Sequence, residues 1–202
     1  MCDLVFAHPD SYLSPEEEFK RYQQHNNDSE DPRYRSFLGK LQKPMAKRLT
    51  SKSSGLDFGS GPGPLLKKMF EEQGHKMSIY DVFYAPDMAV FETNYNFITS
   101  SETVEHLQQP LLELDRLWHR LKPDGILGIM TGIHYKDIDF KNWYYIRDET
   151  HVVFFSPKTF EWLAQYWDAN LDFIGDSVVI FQKTSGSATS LPKKSEALLV
   201  TV

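Results

Sequence analysis

The pattern of apolar and polar positions changes character near residue 50. Before it, apolar residues recur at helical spacing: Phe19 and Tyr22 share a face after Ser14-Pro-Glu-Glu-Glu18, and Tyr34, Phe37, Leu38, Leu41 and Met45 share another after Asp31-Pro32. Both starts carry N-terminal helix chemistry, with a capping side chain followed by proline; the first also sets carboxylates at the positive end of the helix dipole. Lys43-Pro44 is expected to kink or divide the second helix.

After residue 50, short apolar runs alternate with amphipathic ones. Residues 55–58 read as a strand entering a glycine-rich loop, 64–72 as a helix ending at Gly74, and 76–80 as a strand closed by Asp81. Residues 96–100 form a third strong strand, followed by a helix through Glu105 and His106. A helix over 110–121 is stopped by the turn Lys122-Pro-Asp-Gly125, and 126–131 is a buried strand. Ser156-Pro157 starts a helix reaching about Trp167, and 171–174 with 178–182 close the pattern as a hairpin across Gly175-Asp176. Strands separated by helices predict an α/β fold with a mostly parallel sheet covered on both faces. Such sheets bind ligands at the carboxyl ends of their strands. The expected division is a helical cap over 1–50, a core over 51–183, and a flexible tail over 184–202 rich in Ser, Thr, Lys and Pro.

Composition narrows the classes of partner. The chain has 202 residues, 41% apolar and 25% charged, with a net charge of −6. It contains no basic block long enough to track a phosphate backbone, so nucleic acid is not the expected partner. No apolar run approaches the roughly 20 residues of a membrane helix, and no signal-peptide pattern opens the chain. Cys2 is the only cysteine, which excludes an internal disulfide and is consistent with a cytoplasmic setting. The opening Met1-Cys-Asp-Leu-Val-Phe6 looks like the second half of a zinc knuckle, C-x-x-C-x-L-V-F, whose first half is absent. One cysteine cannot hold a structural zinc, so no metal is expected there.

The loop Leu56-Asp-Phe-Gly-Ser-Gly-Pro-Gly-Pro64 lets a backbone approach a ligand closely. A nucleotide P-loop requires G-x-x-x-x-G-K-[ST], and no lysine followed by Ser or Thr sits where it is needed. A dinucleotide loop requires G-x-G-x-x-G, but the sixth place is Pro64. The chain instead offers D-x-G-x-G-x-G, with Asp57, Gly59, Gly61 and Gly63. That pattern suits a methionine-derived ligand, whose ammonium Asp57 can meet directly or through water. Asp81, at the end of the next strand, is placed to accept bonds from both hydroxyls of a ribose.

LDFGSGPGP, Asp81, Asn96-Phe-Ile-Thr-Ser-Ser-Glu-Thr-Val-Glu-His-Leu107 and Leu121-Lys-Pro-Asp-Gly-Ile-Leu-Gly-Ile129 together resemble the class I S-adenosylmethionine-dependent methyltransferases. They look like that family's glycine loop, ribose acid, fourth-strand segment and fifth-strand turn, in order, over roughly residues 50–183. The resemblance implies a Rossmann-like, doubly wound sheet with an antiparallel C-terminal hairpin strand. It also implies a shortened third strand between Asp81 and Asn96 and an N-terminal helical lid. S-adenosylmethionine is the implied cofactor, held by Asp57, Phe58, Gly59, Ser60, Gly61, Gly63 and Asp81, and bordered by Ser100, Ser101 and Glu102. With the third strand shortened, Val82, Phe83 and Asp87 are the substitutes for the family's usual adenine contacts. The family often has Asp where this chain has Asn96.

The acceptor side belongs after the fifth strand, and the expected acceptor is a small or modest-sized molecule. His151, just before Val-Val-Phe-Phe-Ser-Pro157, is the first candidate for a general base or a substrate-orienting group; the competing reading is a histidine bonded to a carbonyl to fix its loop. His134, past the carboxyl end of a strand, is the second candidate. Trp143, Tyr144 and Tyr145 either wall the acceptor pocket or pack their loop onto the sheet. From the cap, Tyr22, His25 and Arg33 are candidate contacts to cofactor or substrate. Glu102, Glu105 and His106 suggest a metal site, since Glu102 and His106 stand four residues apart. No third ligand has a recognisable spacing, so no metal is expected, and Glu105-His106 is better read as a helix-start element of the fold. Two other classes stay open: an oxidoreductase using a nicotinamide nucleotide on a related sheet, and a catalytically idle domain that binds cofactor or partner.

Overall fold

The two N-terminal helices begin where their capping chemistry places them. In the computed structural model, which describes residues 2–23 and 31–184, α1 spans Pro15–Tyr22 and α2 spans Pro32–Ala46. Ser14 and Glu17 close a reciprocal capping box, and Asp31 accepts from the Arg33 amide at 2.8 Å. His25 and residues 185–202 lie outside the described residues. The expected break at Pro44 does not occur: α2 runs through it to Ala46. Proline in the last turn removes a single ladder bond, to the Lys40 carbonyl, and leaves little helix beyond it to redirect.

The core strands are β2 (Ser54–Phe58), β3 (Lys76–Tyr80), β4 (Tyr95–Ser101), β5 (Leu121–Met130), β7 (Ala169–Ile174) and β8 (Val178–Lys183). They form one sheet in the order β3-β2-β4-β5-β8-β7, and only β8 runs against the others. A two-residue strand β1 (Val5–Phe6) pairs separately with β6 (Val153–Phe154), an element the apolar pattern does not predict. Helices α3 (Leu65–Glu71), α4 (Pro110–His119) and α5 (Pro157–Trp167) complete the layers.

The strands alternate between two apolar cores. Ile98, Leu127, Ile129, Val179 and Phe181 meet α4 and α5 through Leu114, Leu117, Phe160 and Leu163. Their neighbours Phe97, Ile126, Met130, Val178 and Ile180 face α2 and α3 through Leu38, Leu41, Met45, Leu66 and Phe70. A sheet apolar on both faces must be covered on both, which is why its strands read as continuous apolar runs. Helix α2 lies so close that a Cβ on Gly128 would stand 2.1 Å from the Met45 sulfur.

The shortening of the third strand goes to completion. Between β3 and β4 the chain contributes an isolated bridge, Asp81 to Ala85, and a 3-10 turn over Met88–Glu92. Buried Val90 and Phe91 from that turn join the core. Too few residues separate Tyr80 from Tyr95 to hold both a strand and a parallel crossover. At Asn96 a neutral acceptor suffices: its Oδ1 accepts from the Ser54 amide and hydroxyl, both at 3.0 Å, and from Lys122 Nζ at 3.3 Å.

Candidate active site

The carboxyl ends of β2, β3 and β4 open into a cavity of about 830 Å³. One wall is main chain. Gly59 has φ +78°, and a Cβ there would stand 2.1 Å from the Thr103 hydroxyl, so the loop cannot carry a side chain at that point. The Gly59 and Ser60 amides donate to the Tyr80 carbonyl at 2.8 and 3.2 Å, and the Gly61 amide donates to Asp81 Oδ2 at 2.9 Å. Asp81 Oδ1 accepts from the Phe83 and Tyr84 amides at 2.9 and 3.0 Å. One carboxylate therefore fixes both the glycine loop and the turn after β3, and Gly59, Ser60, Gly61, Asp81, Val82 and Phe83 all line the cavity. The Ser60 hydroxyl is buried without a hydrogen-bond partner among the described residues, a donor available to a ligand.

Asp57 lies behind this wall. Its carboxylate is buried between β2 and β4 and accepts from the Thr99 hydroxyl at 2.8 Å. Burial pushes its pKa up to about 7, opposed by the Thr99 bond and assisted by the charge of Asp81. Phe58, Ser101 and Glu102 border the cavity; Gly63 and the buried Ser100 stand back from it.

The cap roofs the opening. Phe19 and Tyr22 pack on Phe83 with ring centroids 5.3 and 5.6 Å apart, and Arg21 pairs with Asp148 at 3.2 Å across the cleft. From α2 come Tyr34, Phe37 and Leu38. Arg33 is not brought to the cavity: its guanidinium is exposed and turned back to Asp31 at 3.0 Å.

The opposite wall is built of side chains around a buried acid. Glu105, on the 3-10 turn Val104–His106, is 0% exposed. It accepts from the Thr131 hydroxyl at 2.9 Å and from the Tyr145 phenol. Burial pushes the Glu105 carboxyl upward, while His151 and these donors oppose the shift. Burial and the two nearby carboxylates push the Tyr145 phenol up, so it remains a donor. Glu102 adopts φ +49°, a left-handed backbone unusual for a residue with a side chain, at the point where β4 ends in the cavity. Its carboxyl opens to the cavity, and withdrawal from water together with Glu105 raises its pKa.

His151 Nδ1 lies 2.7 Å from the Tyr145 carbonyl, and His106 Nδ1 lies 2.9 Å from the Thr150 carbonyl. A carbonyl can only accept, so both Nδ1 atoms carry a proton, and in neutral His151 the lone pair sits on Nε2. Thus His151 makes the loop-fixing bond of the competing reading and also lines the cavity. Burial lowers its pKa from the usual histidine value, Glu105 opposes and His106 assists, so it is neutral near pH 7.

His134 does not join this wall; it packs among Phe140 and Trp143 with centroids 5.6 and 6.5 Å away. The aromatic segment divides. Tyr144 and Tyr145 line the cavity, whereas Trp143 is buried behind and stacks on Tyr145 at 4.9 Å. In the sequence, Glu102, Glu105 and His106 suggest metal ligands but are set aside for want of a further ligand at recognisable spacing, and Tyr34 and Phe37 are legible only as a helix face. His151, the residue that joins the run, lies 45 residues beyond His106, where no local spacing could find it.

Comparison with known proteins agrees with this architecture. A family profile described as "Methyltransferase domain" matches residues 22–174, so the chain belongs to that family. Its sheet and site have the form of the class I S-adenosylmethionine-dependent methyltransferases. Among solved structures it is similar to Burkholderia thailandensis 1,6-didemethyltoxoflavin-N1-methyltransferase, crystallised with 1,6-didemethyltoxoflavin and S-adenosylhomocysteine. The identity is 14%, covering 90% of this chain and 95% of that one, with a TM-score of 0.58. It also resembles a chain of the complex between the Haloferax volcanii Trm112 methyltransferase activator and its candidate methyltransferase, at 11% identity, 85% and 99% coverage and a TM-score of 0.57. No curated protein matches the chain in sequence.

Proposed function

We propose that the cavity binds S-adenosylmethionine against the glycine loop and passes its methyl group to a small-molecule acceptor held under the cap. The observation that carries this reading is the division of one cavity into a main-chain wall at Gly59, Gly61 and Asp81 and a basic, aromatic wall at Tyr22, Tyr145 and His151. The first set fits the donor: Asp81 can share its lone pairs with ribose hydroxyls, Ser60 offers an unused hydroxyl, and Asp57 is a buried carboxyl that a nearby ammonium would ionise. When bound, the cofactor supplies an electrophilic methyl group on a sulfonium. The protein's own part is to orient the acceptor, exclude water beneath α1 and take a proton on His151 Nε2 where the attacking atom carries one. The volume of about 830 Å³ falls in the range of small-molecule sites. Among the described residues no helix is long and apolar enough to cross a membrane.

Calorimetric titration with S-adenosylhomocysteine and, separately, with NAD tests the donor. Stoichiometric binding of the first is expected; binding of NAD alone would overturn the reading, and donor binding without transfer across a broad acceptor panel would leave an idle domain. Turnover, once an acceptor is found, should fall as pH drops below the usual histidine value of 6.5, because the lowered pKa of His151 keeps it neutral above that point. In His151→Gln that acidic limb should vanish, and an unchanged pH profile would remove the base role.

A further inference from the structure

The side-chain wall contains a group that the donor does not use. One ligand atom each from Glu105, His106 and His151 lie within 4.8 Å of one another, at the edge of the cavity. We infer that Glu105, His106 and His151, with Glu102 beside them, bind one first-row divalent cation whose open positions face the acceptor. This rests on the proposal that the acceptor occupies that side of the cavity, and it deepens it.

Four observations converge. First, the rings are anchored: each histidine donates Nδ1–H to a main-chain carbonyl, so a cation would be met by the other ring nitrogen, Nε2. Metal-binding histidines are held in this way by their outer-shell partners. Second, the acid is placed as a ligand: Glu105 accepts two hydroxyl bonds, and no Lys or Arg among the described residues forms an ion pair with it, so a cation would offset the cost of its burial. Third, the unusual backbone of Glu102 brings a second carboxylate to the same rim, 3.4 Å from the Tyr145 hydroxyl that also bonds Glu105. Fourth, the spacing is close to what a cation requires. Metal–ligand bonds of about 2.1 Å place ligand atoms about 3.4 Å apart, so side chains need shift by only about 1 Å.

Two imidazoles with one or two carboxylates favour Zn²⁺, Mn²⁺, Fe²⁺ or Co²⁺ over the oxygen-seeking Mg²⁺ and Ca²⁺. Glu105 lies beneath the surface while His106, His151 and Glu102 line the cavity, so the remaining positions point to the acceptor space. The class of acceptor that such a site selects carries an oxygen, or an oxygen pair, able to bind the cation: a phenol, catechol, vicinal diol or enol. Binding lowers the pKa of that oxygen and releases its proton to water. With the cation present, the His151 lone pair is a ligand, and the cation takes over the activating role.

The test uses the full chain stripped with a chelator, titrated with Mn²⁺ by paramagnetic resonance and with Zn²⁺ by calorimetry. One site per chain is expected, with affinity lowered at least tenfold in His106→Gln and in His151→Gln and less in Glu102→Gln. Co²⁺ should give visible bands characteristic of nitrogen and oxygen ligands, which both histidine variants weaken. S-adenosylhomocysteine affinity is measured on every sample as a control for folding. Absence of stoichiometric cation binding by protein that binds S-adenosylhomocysteine would overturn the inference and leave the methyl-transfer reading intact; so would cation binding unchanged in both histidine variants. Loss of S-adenosylhomocysteine binding in the unaltered chain would instead overturn the methyl-transfer reading.

Discussion

The two walls of the cavity are made by different means. The wall we propose for the donor is main chain: amides and glycines fixed by Asp81, all within the stretch from Asp57 to Tyr84. The wall we propose for the acceptor is side chain: Glu102 and His106 from the end of β4, Tyr145 and His151 from a loop some 40 residues later, and Tyr22 from α1. A main-chain wall recognises what every member of a fold shares and tolerates little change in backbone. A wall of side chains can be re-sorted one residue at a time, and it places the buried charge where an acceptor would be chosen.

Gly59→Val should break the donor wall and produce the largest effect. The new Cβ meets Thr103 at 2.1 Å on a backbone of φ +78°, a conformation a branched residue avoids. Strain and overpacking together cost about 4 kcal/mol. Chemical denaturation should show that loss, and calorimetry should show no S-adenosylhomocysteine binding in any folded remainder. Retained binding at near-normal affinity would mean that the loop is not the donor site.

Tyr145→Phe should weaken the other wall and leave the first alone. It removes a hydroxyl donor from buried Glu105, and leaving a buried acceptor without its donor costs about 2 kcal/mol. The midpoint of thermal unfolding should fall accordingly, while S-adenosylhomocysteine affinity stays within about twofold. Equal losses at both walls would show that they are one cooperative unit rather than two.

The same asymmetry explains how much of the molecule was legible in the sequence. The sheet was readable because strands such as Ile126–Met130 and Val178–Phe181 carry no polar side chain, and the main-chain wall because Gly59, Gly61 and Asp81 sit at fixed spacings within one β-α-β unit. The pairing of Val5–Phe6 with Val153–Phe154 was not readable, since two residues carry no period and their partner lies far along the chain. The Glu105 network was hidden for a related reason. Nothing local announces that Glu105, Thr131, Tyr145 and His151 converge, because tertiary packing alone brings a buried acid to its donors. Of the two candidate histidines, His151 reaches the cavity and His134 packs against Phe140; His134 follows an apolar strand and His151 precedes an apolar run, and neither setting tells which ring meets the cavity.

Asp57 offers a finer probe of where the donor's ammonium arrives. Its pKa near 7 means that at pH 6 roughly nine molecules in ten carry the proton. The sign follows from a raised folded value: stability from holding that proton is complete below the usual aspartate value of 3.8 and is lost as pH rises through about 7. An ammonium placed beside the carboxylate favours the anion and expels the proton. Binding of S-adenosylhomocysteine at pH 6, measured in buffers of different ionisation enthalpy, should release about one proton, falling toward none by pH 9. In Asp57→Asn the release should disappear. Release unchanged in that variant would assign the proton to another group and place the ammonium elsewhere.

The smallest effect is expected at the rim. Tyr144 lines the cavity but is 72% exposed, and its edge contacts to Trp143 and Tyr145 span 6.5 and 6.0 Å. Truncation to alanine removes no buried donor and opens no core cavity, so stability should change by less than about 0.5 kcal/mol. Donor affinity should not move, because no part of the glycine loop touches this ring. What can change is the Michaelis constant for the acceptor, by the few-fold expected of a partly exposed aromatic surface. A few-fold rise with unaltered turnover number would place Tyr144 at the acceptor's entry, whereas a fall in turnover alone would move it inward, to the positioning of the reacting atom.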